Sequence, residues 1–138
     1  MPANTNPIFT HEGNIKCGVV LTALSGTYDG TGANDILAFE ADPDDGSFLD
    51  KIRFKAKGAN VQTLARIFIN NGQDHTVAAN NSFYDDVALP STSASATVQQ
   101  PFVELSLQLQ LKAGFKIYIG LAVAVASGWQ ATPIGGNF

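Results

Sequence analysis

Strict alternation of apolar and polar residues is the feature of this 138-residue chain that most restricts its fold. Residues 51–57 are the clearest case, because Ile52, Phe54 and Ala56 alternate there with four cationic side chains. Successive side chains of an extended strand point to opposite faces, so this pattern is typical of a strand with one buried and one solvated face. Residues 104–112 alternate in the same way. The chain is therefore expected to bury the apolar faces of several strands against one another.

Turn-forming residues separate about eight such segments, none of which holds a helical period over three turns. The predicted strands cover residues 15–25, 35–41, 51–57, 61–70, 82–89, 104–112, 116–125 and 129–134. This pattern predicts an all-β protein, and eight strands suit an antiparallel, jelly-roll-like β-sandwich. An immunoglobulin-like sandwich is the alternative, although its Cys-Trp-Cys signature is missing. The residues expected in the core are Ile52, Phe54, Leu105, Leu107, Leu109, Ile117, Ile119 and Leu121.

The length favours a single domain preceded by a short arm. Residues 1–13 are mostly polar and contain two prolines, so they are predicted to form an extended N-terminal arm. Residues 14–138 are predicted to form the β-sandwich domain. Within the arm, Ile8 and Phe9 are the apolar anchors expected to fill a pocket on a neighbouring molecule. A frayed terminus without a role is the alternative.

Charge and hydropathy exclude several classes of partner. The net charge is −4, which argues against binding nucleic acid by neutralising phosphates. No apolar run is long enough for a membrane-spanning helix, and the first residues lack the basic and apolar regions of a signal peptide. Synthesis in a cytoplasm is expected. Only 14% of residues are charged, against about 25% in an average domain, which leaves room for surface covered by partners.

Residues capable of catalysis or metal binding are few and scattered. The single cysteine, Cys17, is predicted to be a small buried hydrophobe. His11 in the arm and His75 in a loop are predicted to be exposed to solvent, and neither zinc-ligand spacing nor a nucleophile elbow is present. The acidic turn at residues 42–46 does not match a calcium loop and is interpreted as a solvated turn. No enzymatic activity, catalytic residue, metal or cofactor is therefore expected.

One strand carries half of the chain's eight cations on a single face. These four residues are Lys51, Arg53, Lys55 and Lys57. One interpretation is an edge strand whose charges prevent aggregation. The other is a positive stripe that docks on an acidic partner, either a different protein or the acidic turn at residues 42–46 of another copy.

Three aromatic residues could form a platform for sugar. Tyr28, Tyr84 and Trp129 are the candidates, since carbohydrate-binding modules present aromatic rings to their ligands. Packing in the core is the alternative for each of them, above all for the single tryptophan.

Several stretches taken together carry a resemblance to known proteins. They cover residues 7–10, 50–61, 65–72, 78–84, 87–90, 111–116 and 134–138. With these stretches the chain resembles a family of small proteins encoded among the head and tail genes of tailed phages. The resemblance implies a bacteriophage virion protein, specifically a capsid cement or decoration protein that stabilises the shell of major capsid protein. It carries over no catalytic residue.

The resemblance also implies location and assembly. The protein would be made in the host cytoplasm and end on the capsid surface of the virion. The low charge content and the polar arm suggest a symmetric homo-oligomer, for which the analogy with capsids favours a trimer, with a dimer as second choice. The alternatives are a phage tail or fibre component and a carbohydrate-binding β-sandwich module. A hydrolase is the least favoured hypothesis.

Overall fold

The computed structural model describes Thr10, residues 12–15 and residues 17–138. Within them the chain forms nine β-strands and one 3-10 turn, Ala78–Asn80. The strands are β1 (Glu12–Ile15), β2 (Val19–Leu21), β3 (Ile36–Glu40), β4 (Ser47–Ala56), β5 (Thr63–Asn70), β6 (Asn81–Leu89), β7 (Phe102–Leu111), β8 (Lys116–Leu121) and β9 (Trp129–Asn137). The prediction of an all-β domain is confirmed.

The strands form two antiparallel sheets that pack face to face around one core. In the five-stranded sheet, β1 and β2 both pair with β9, which pairs with β4, which pairs with β7. The four-stranded sheet has the order β3-β8-β5-β6. Counting β1 and β2 as one interrupted strand gives eight strands in the orders 1-8-3-6 and 2-7-4-5. This is the jelly-roll arrangement, in which only β5 and β6 are both consecutive and hydrogen-bonded to each other.

The first predicted strand is interrupted by a bulge. Ile15 pairs with Ile134 and Val19 pairs with Ala131. Between these two pairs the first strand contains three residues and β9 contains two, so the first strand has one extra residue. An extra residue on one strand leaves part of the ladder unpaired and bends the chain locally. This is why residues 15–25, expected as one strand, form two short ones.

Two further differences from the sequence predictions lie in this part of the chain. Cys17 lies between β1 and β2 and is exposed, so the expected burial of its thiol is wrong. The bend at the interruption turns this residue away from the core. In addition, β1 begins at Glu12, so Glu12 and Gly13, the last residues of the predicted arm, belong to the sheet. The remainder of the arm lies outside the described residues, apart from Thr10.

The predicted core is largely confirmed. Six of its eight residues are buried, while Leu105 and Leu109 are only half-buried although they pack against the core. Both belong to β7, which is an edge strand and is covered by a neighbour on one side only. Trp129 is 0% exposed, so its packing in the core is confirmed.

The outer faces of the two sheets differ in how they are covered. The loop between β2 and β3 lies over the four-stranded sheet, where the Tyr28 ring sits 3.9 Å from the guanidinium carbon of the buried Arg66. This loop connects the two sheets. His75 also contributes, because its ring stacks on Tyr118 at 4.4 Å and its Nδ1 lies 3.0 Å from the Gly30 carbonyl oxygen. His75 therefore lies in a loop, as predicted, but its side chain is half-buried and not freely exposed to solvent.

A candidate protein-docking face

In the part of the chain that the structure describes, no loop covers the middle of the outer face of the five-stranded sheet. We call it the basic face and define it by the outward side chains of β4 and those opposite them on β7 and β9. Its central members are Lys51, Arg53, Lys55, Phe102, Glu104 and Thr132. All six retain solvent exposure, whereas Phe68 and Arg66 on the other sheet are buried.

The cations of this face do not lie on an edge strand. β4 is hydrogen-bonded to β7 on one side and to β9 on the other, which makes it a central strand. The interpretation of residues 51–57 as a charge-protected edge is therefore wrong. Alternation alone predicted a half-buried strand, and a central strand of a sheet with one solvated face produces the same pattern.

Glu104 holds two of the cations together. Its Oε2 atom lies 3.0 Å from Nζ of Lys51 and 3.7 Å from Nη1 of Arg53. Register explains the contact, because Glu104 stands directly opposite Arg53 on the same face of the sheet. Ion pairs this exposed contribute about 0 to 1 kcal/mol, so their main effect is to fix the side chains.

Phe102 orders the other part of the face. The guanidinium carbon of Arg53 lies 4.0 Å from the centre of its ring, and Nζ of Lys55 lies 5.9 Å from it. Both positions allow attraction between a cation and the electron-rich ring face. Nζ of Lys55 also donates a hydrogen bond of 2.6 Å to the Gln100 carbonyl oxygen. Three cations are thus held in defined places before any partner binds.

Lys57 stands apart from the other three cations. β4 ends at Ala56, so Lys57 lies just beyond the strand and is exposed. Its backbone N–H donates to the Gly128 carbonyl oxygen at 3.0 Å. Gly58 follows with a φ of +149°, which lets the chain turn away from the sheet. The predicted stripe of four is therefore three cations with defined side-chain contacts on β4 and a fourth, Lys57, just beyond the end of the strand.

Apolar side chains lie beside the cations. Phe102 is 44% exposed and Val20 of β2 is also exposed on the same row, with Lys55 and Gln130 between them. Ile15 is 63% exposed on the row of Lys51. Aromatic and arginine side chains are enriched in the centres of protein–protein interfaces. The basic face can therefore pair with carboxylates and also bury apolar surface.

Acidic residues gather at the opposite end of β4. Asp42, Asp44 and Asp45 lie in the turn that precedes Ser47, whereas Lys55 and Lys57 lie at the far end of this ten-residue strand. At the usual rise the two ends are roughly 30 Å apart. A cleft of about 510 Å³ between β1 and β3 adds Glu12 and Glu40 to the acidic end. The basic face is thus locally positive in a chain whose net charge is −4.

One residue that the sequence analysis did not identify braces the end of the basic face. Asn60 is 6% exposed, and its Nδ2 donates to the carbonyl oxygens of Gly58 and Gly128 and to Oγ1 of Thr92. Its Oδ1 accepts the backbone N–H groups of Ser127 and Gly128 at 3.1 and 2.7 Å. Asn60 therefore ties three loops together next to Lys57. An asparagine near a glycine predicts only a turn, and its partners lie far along the chain.

The remaining predicted site residues are placed as follows. Ile8 and Phe9 lie outside the described residues. Thr10 contacts Gly136 of β9, where a β-carbon on the glycine would collide with the threonine side chain. Phe48, opposite Gly136 in the ladder, is half-buried on the outer face. The described part of the arm therefore lies against the same sheet that carries the basic face.

The aromatic candidates for sugar binding are separated by the fold. Trp129 is buried and cannot meet a ligand, whereas Tyr28 is 65% exposed and Tyr84 is exposed on β6. The Tyr28 ring lies 5.8 Å from that of Phe83. Asp29 directly follows Tyr28 in the sequence. Its carboxyl accepts hydrogen bonds from the hydroxyl and the N–H of Thr31, and these bonds lower its pKa.

Comparisons with protein-family models, with curated proteins and with solved structures found no match. Within the part of the chain that the structure describes, no three His, Cys, Asp or Glu side chains are grouped to hold a metal ion. No helix among those residues has the length and apolar character needed to cross a membrane. The basic face is the most developed candidate site, and its side chains equip it to bind an acidic protein surface.

Proposed function

We propose that this chain is a structural subunit of a bacteriophage particle, a capsid cement or decoration protein that stabilises the shell of major capsid protein. The observation that carries the proposal is the group of ordered cations on a central strand. Because β4 has neighbours on both sides, these charges are not needed to protect an edge. In this proposal they meet carboxylates on the capsid surface, and the protein acts without catalysis or a cofactor.

Preorganisation makes such a face effective. Lys51, Arg53 and Lys55 are already held by Glu104, Phe102 and a backbone carbonyl, so less side-chain freedom is lost on binding. Complementary charge speeds encounter and selects the partner, while the exposed apolar groups contribute burial. A shell offers the same surface many times, so an oligomer would gain affinity from each additional contact.

Co-sedimentation with capsid shells tests the proposal. The chain would be co-expressed with the major capsid protein encoded in the same genome, and shells would be pelleted at low and at moderate salt. We expect the protein to pellet with the shells, with occupancy that falls as salt rises because exposed charges are screened.

Charge reversal makes this test specific. The variant Lys55→Glu/Lys57→Glu should lose most of its occupancy, whereas the matched control Lys112→Glu/Lys116→Glu, at the other end of the sandwich, should keep it. Circular dichroism would verify that both variants fold. Equal occupancy of the two variants, or no binding by the parent protein, would overturn the proposal. Pelleting with isolated tails instead of shells would support the tail or fibre alternative.

A carbohydrate-binding module is the second candidate, and one observation favours it. Tyr28 and Phe83 form an adjacent aromatic pair with exposed surface on the four-stranded sheet. Glycan binding that is lost in Tyr28→Ala or Tyr84→Ala, but retained in Lys55→Glu, would support this candidate over capsid binding. Trp129 is excluded as the platform because it is buried.

A further inference from the structure

The sheet edges of this fold are protected to different extents. Unpaired backbone groups along an edge strand bind other strands unless the edge is short, irregular or charged. The edge formed by β1 and β2 is broken into pieces of four and three residues. β3 has five residues and a register shift, and β6 carries Asp85 and Asp86 beside a register shift of its own.

β7 is the edge with the least protection. It has ten residues and no lysine, arginine, aspartate or proline. Its one charged residue, Glu104, is already paired with Lys51 and Arg53 of β4. Gln108 has a φ of +51° at a register shift, which leaves the stretch from Phe102 to Leu107 as the regular part of the edge.

Apolar surface continues along this edge. Val103, Leu105 and Leu109 point inward and pack against the core, yet each remains partly exposed. The outward row consists of serine and glutamine apart from Phe102 and Glu104. A strand added to this edge would therefore cover the inward row and would meet Glu104 as the one charged side chain of β7 on the outward row.

We propose that β7 pairs with β7 of a second copy, antiparallel across a two-fold axis, so that two five-stranded sheets become one sheet of ten strands. Side chains alternate with a period of two, so odd-numbered residues must face odd-numbered ones to keep both leucine rows on the core side. An axis at Leu105 places Val103 opposite Leu107 and Glu104 opposite Ser106. Gln108, with its irregular backbone, then lies at the end of the paired segment.

Charge identifies a second copy as the occupant. Each chain carries a net charge of −4, so two copies approach best where neither presents an unpaired carboxylate. Pairing through β6 would instead bring Asp85 and Asp86 of both copies together. A two-fold interface is also self-complementary, because each strand meets its own sequence. The resemblance to capsid proteins suggests a trimer, which this edge cannot produce.

The dimer would align two basic faces on one continuous sheet. Lys51, Arg53 and Lys55 of both copies would then point to the same side, which allows two-point docking on a repetitive acidic surface. This consequence rests on the proposed function, whereas the pairing of the edges does not.

Sedimentation equilibrium of the full chain tests the pairing. We expect a mass twice the 14.5 kDa of the chain. Ser106→Glu would face Glu104 of the other copy and should weaken the dimer by about tenfold or more. The matched control Ser82→Glu lies on β6 and should leave the dimer intact. A monomer at every soluble concentration, a trimer, or a Ser106→Glu variant that still dimerises like the control would overturn the proposal.

Cross-linking tests the register without relying on a destabilised dimer. Directly opposite residues of an antiparallel pair lie about 4.5 to 5.5 Å apart at Cα, a separation that a disulfide can span. In a background with Cys17→Ser, oxidised Leu105→Cys should therefore form covalent dimers efficiently, and Ser82→Cys should not. Failure of Leu105→Cys to cross-link faster than Ser82→Cys would contradict pairing about Leu105.

Discussion

The guanidinium carbon of Arg53 lies 4.0 Å from the centre of the Phe102 ring, so a cation of the central strand rests on an aromatic ring of the edge strand. The arginine side chain therefore lies across the sheet and its position is defined. Because Glu104 approaches the same guanidinium at 3.7 Å, aromatic and carboxylate contacts together order the basic face.

Removing the carboxylate should change binding more than stability. We predict that Glu104→Gln lowers the free energy of unfolding by less than about 1 kcal/mol, because both ion pairs are substantially exposed to solvent. The same change removes one negative charge from the basic face, and we expect this gain in attraction to outweigh the lost ordering of Lys51 and Arg53, so that docking on acidic shells strengthens at low salt. Urea denaturation and shell co-sedimentation measure the two effects. A large loss of stability would show that the carboxylate is structural.

Removing the amide of Asn60 should affect stability strongly. We predict that Asn60→Ala lowers the free energy of unfolding by about 2 to 4 kcal/mol, because the buried N–H of Gly128 loses its acceptor and the other hydrogen bonds of the Asn60 amide, to Gly58, Thr92 and Ser127, are lost with it. Urea denaturation measures this loss, and we expect the dependence of the free energy of unfolding on urea concentration to stay unchanged. Asn34→Ala is the control, since that exposed side chain makes a single hydrogen bond to the Leu24 carbonyl oxygen. Similar losses in both variants would contradict the role assigned to Asn60.

Trp129 should report on the core. Trp129→Ala should destabilise the protein by about 3 to 5 kcal/mol, because it leaves a large cavity in a fully buried position. Trp129→Phe should cost less, since Nε1 is buried without a hydrogen-bond partner within the described structure. Thermal unfolding ranks the variants, and the emission of the single tryptophan should shift to longer wavelength on unfolding. Equal stability of Trp129→Ala and the parent protein would contradict this packing.

Tyr118 should make stability depend on alkaline pH. Burial, with repulsion from Glu40 and Asp74, raises the pKa of its hydroxyl above the ordinary value of 10.0. The folded state therefore holds this proton more tightly than the unfolded state, and its contribution to stability is complete below pH 10 and is lost as pH rises through the folded pKa. Denaturation across this range should show a steeper loss for the parent protein than for Tyr118→Phe. Identical slopes would contradict the shift, because the lysines titrate in both proteins alike.

Alternation predicted the strands and most of the core because it reports directly which face of a strand is buried. It could not predict where each strand lies in its sheet. Lys51, Arg53 and Lys55 alternate with buried residues whether β4 is central or at an edge, so the protected-edge interpretation failed. The bulge beside Cys17 was also missed, although Gly18, a glycine inside an otherwise strand-like segment, is the kind of residue that marks a bulge.

Contacts between distant loops account for most of what the sequence did not predict. His75 is half-buried because the β2–β3 loop brings the Gly30 carbonyl oxygen to its ring. Asn60 is buried because Thr92 and Gly128 meet it from 32 and 68 residues away. Local propensity carries no information about such partners. It also does not show that the β2–β3 loop lies over the four-stranded sheet and not over the basic face.

Electron cryo-microscopy of capsid shells that carry the bound protein tests the docking of the basic face most directly. We predict density for the jelly roll with the five-stranded sheet toward the shell, and with Lys55 and Phe102 at the contact beside capsid carboxylates. A reconstruction in which this sheet faces solvent while another surface touches the shell, or in which no density for the protein is found, would contradict the account.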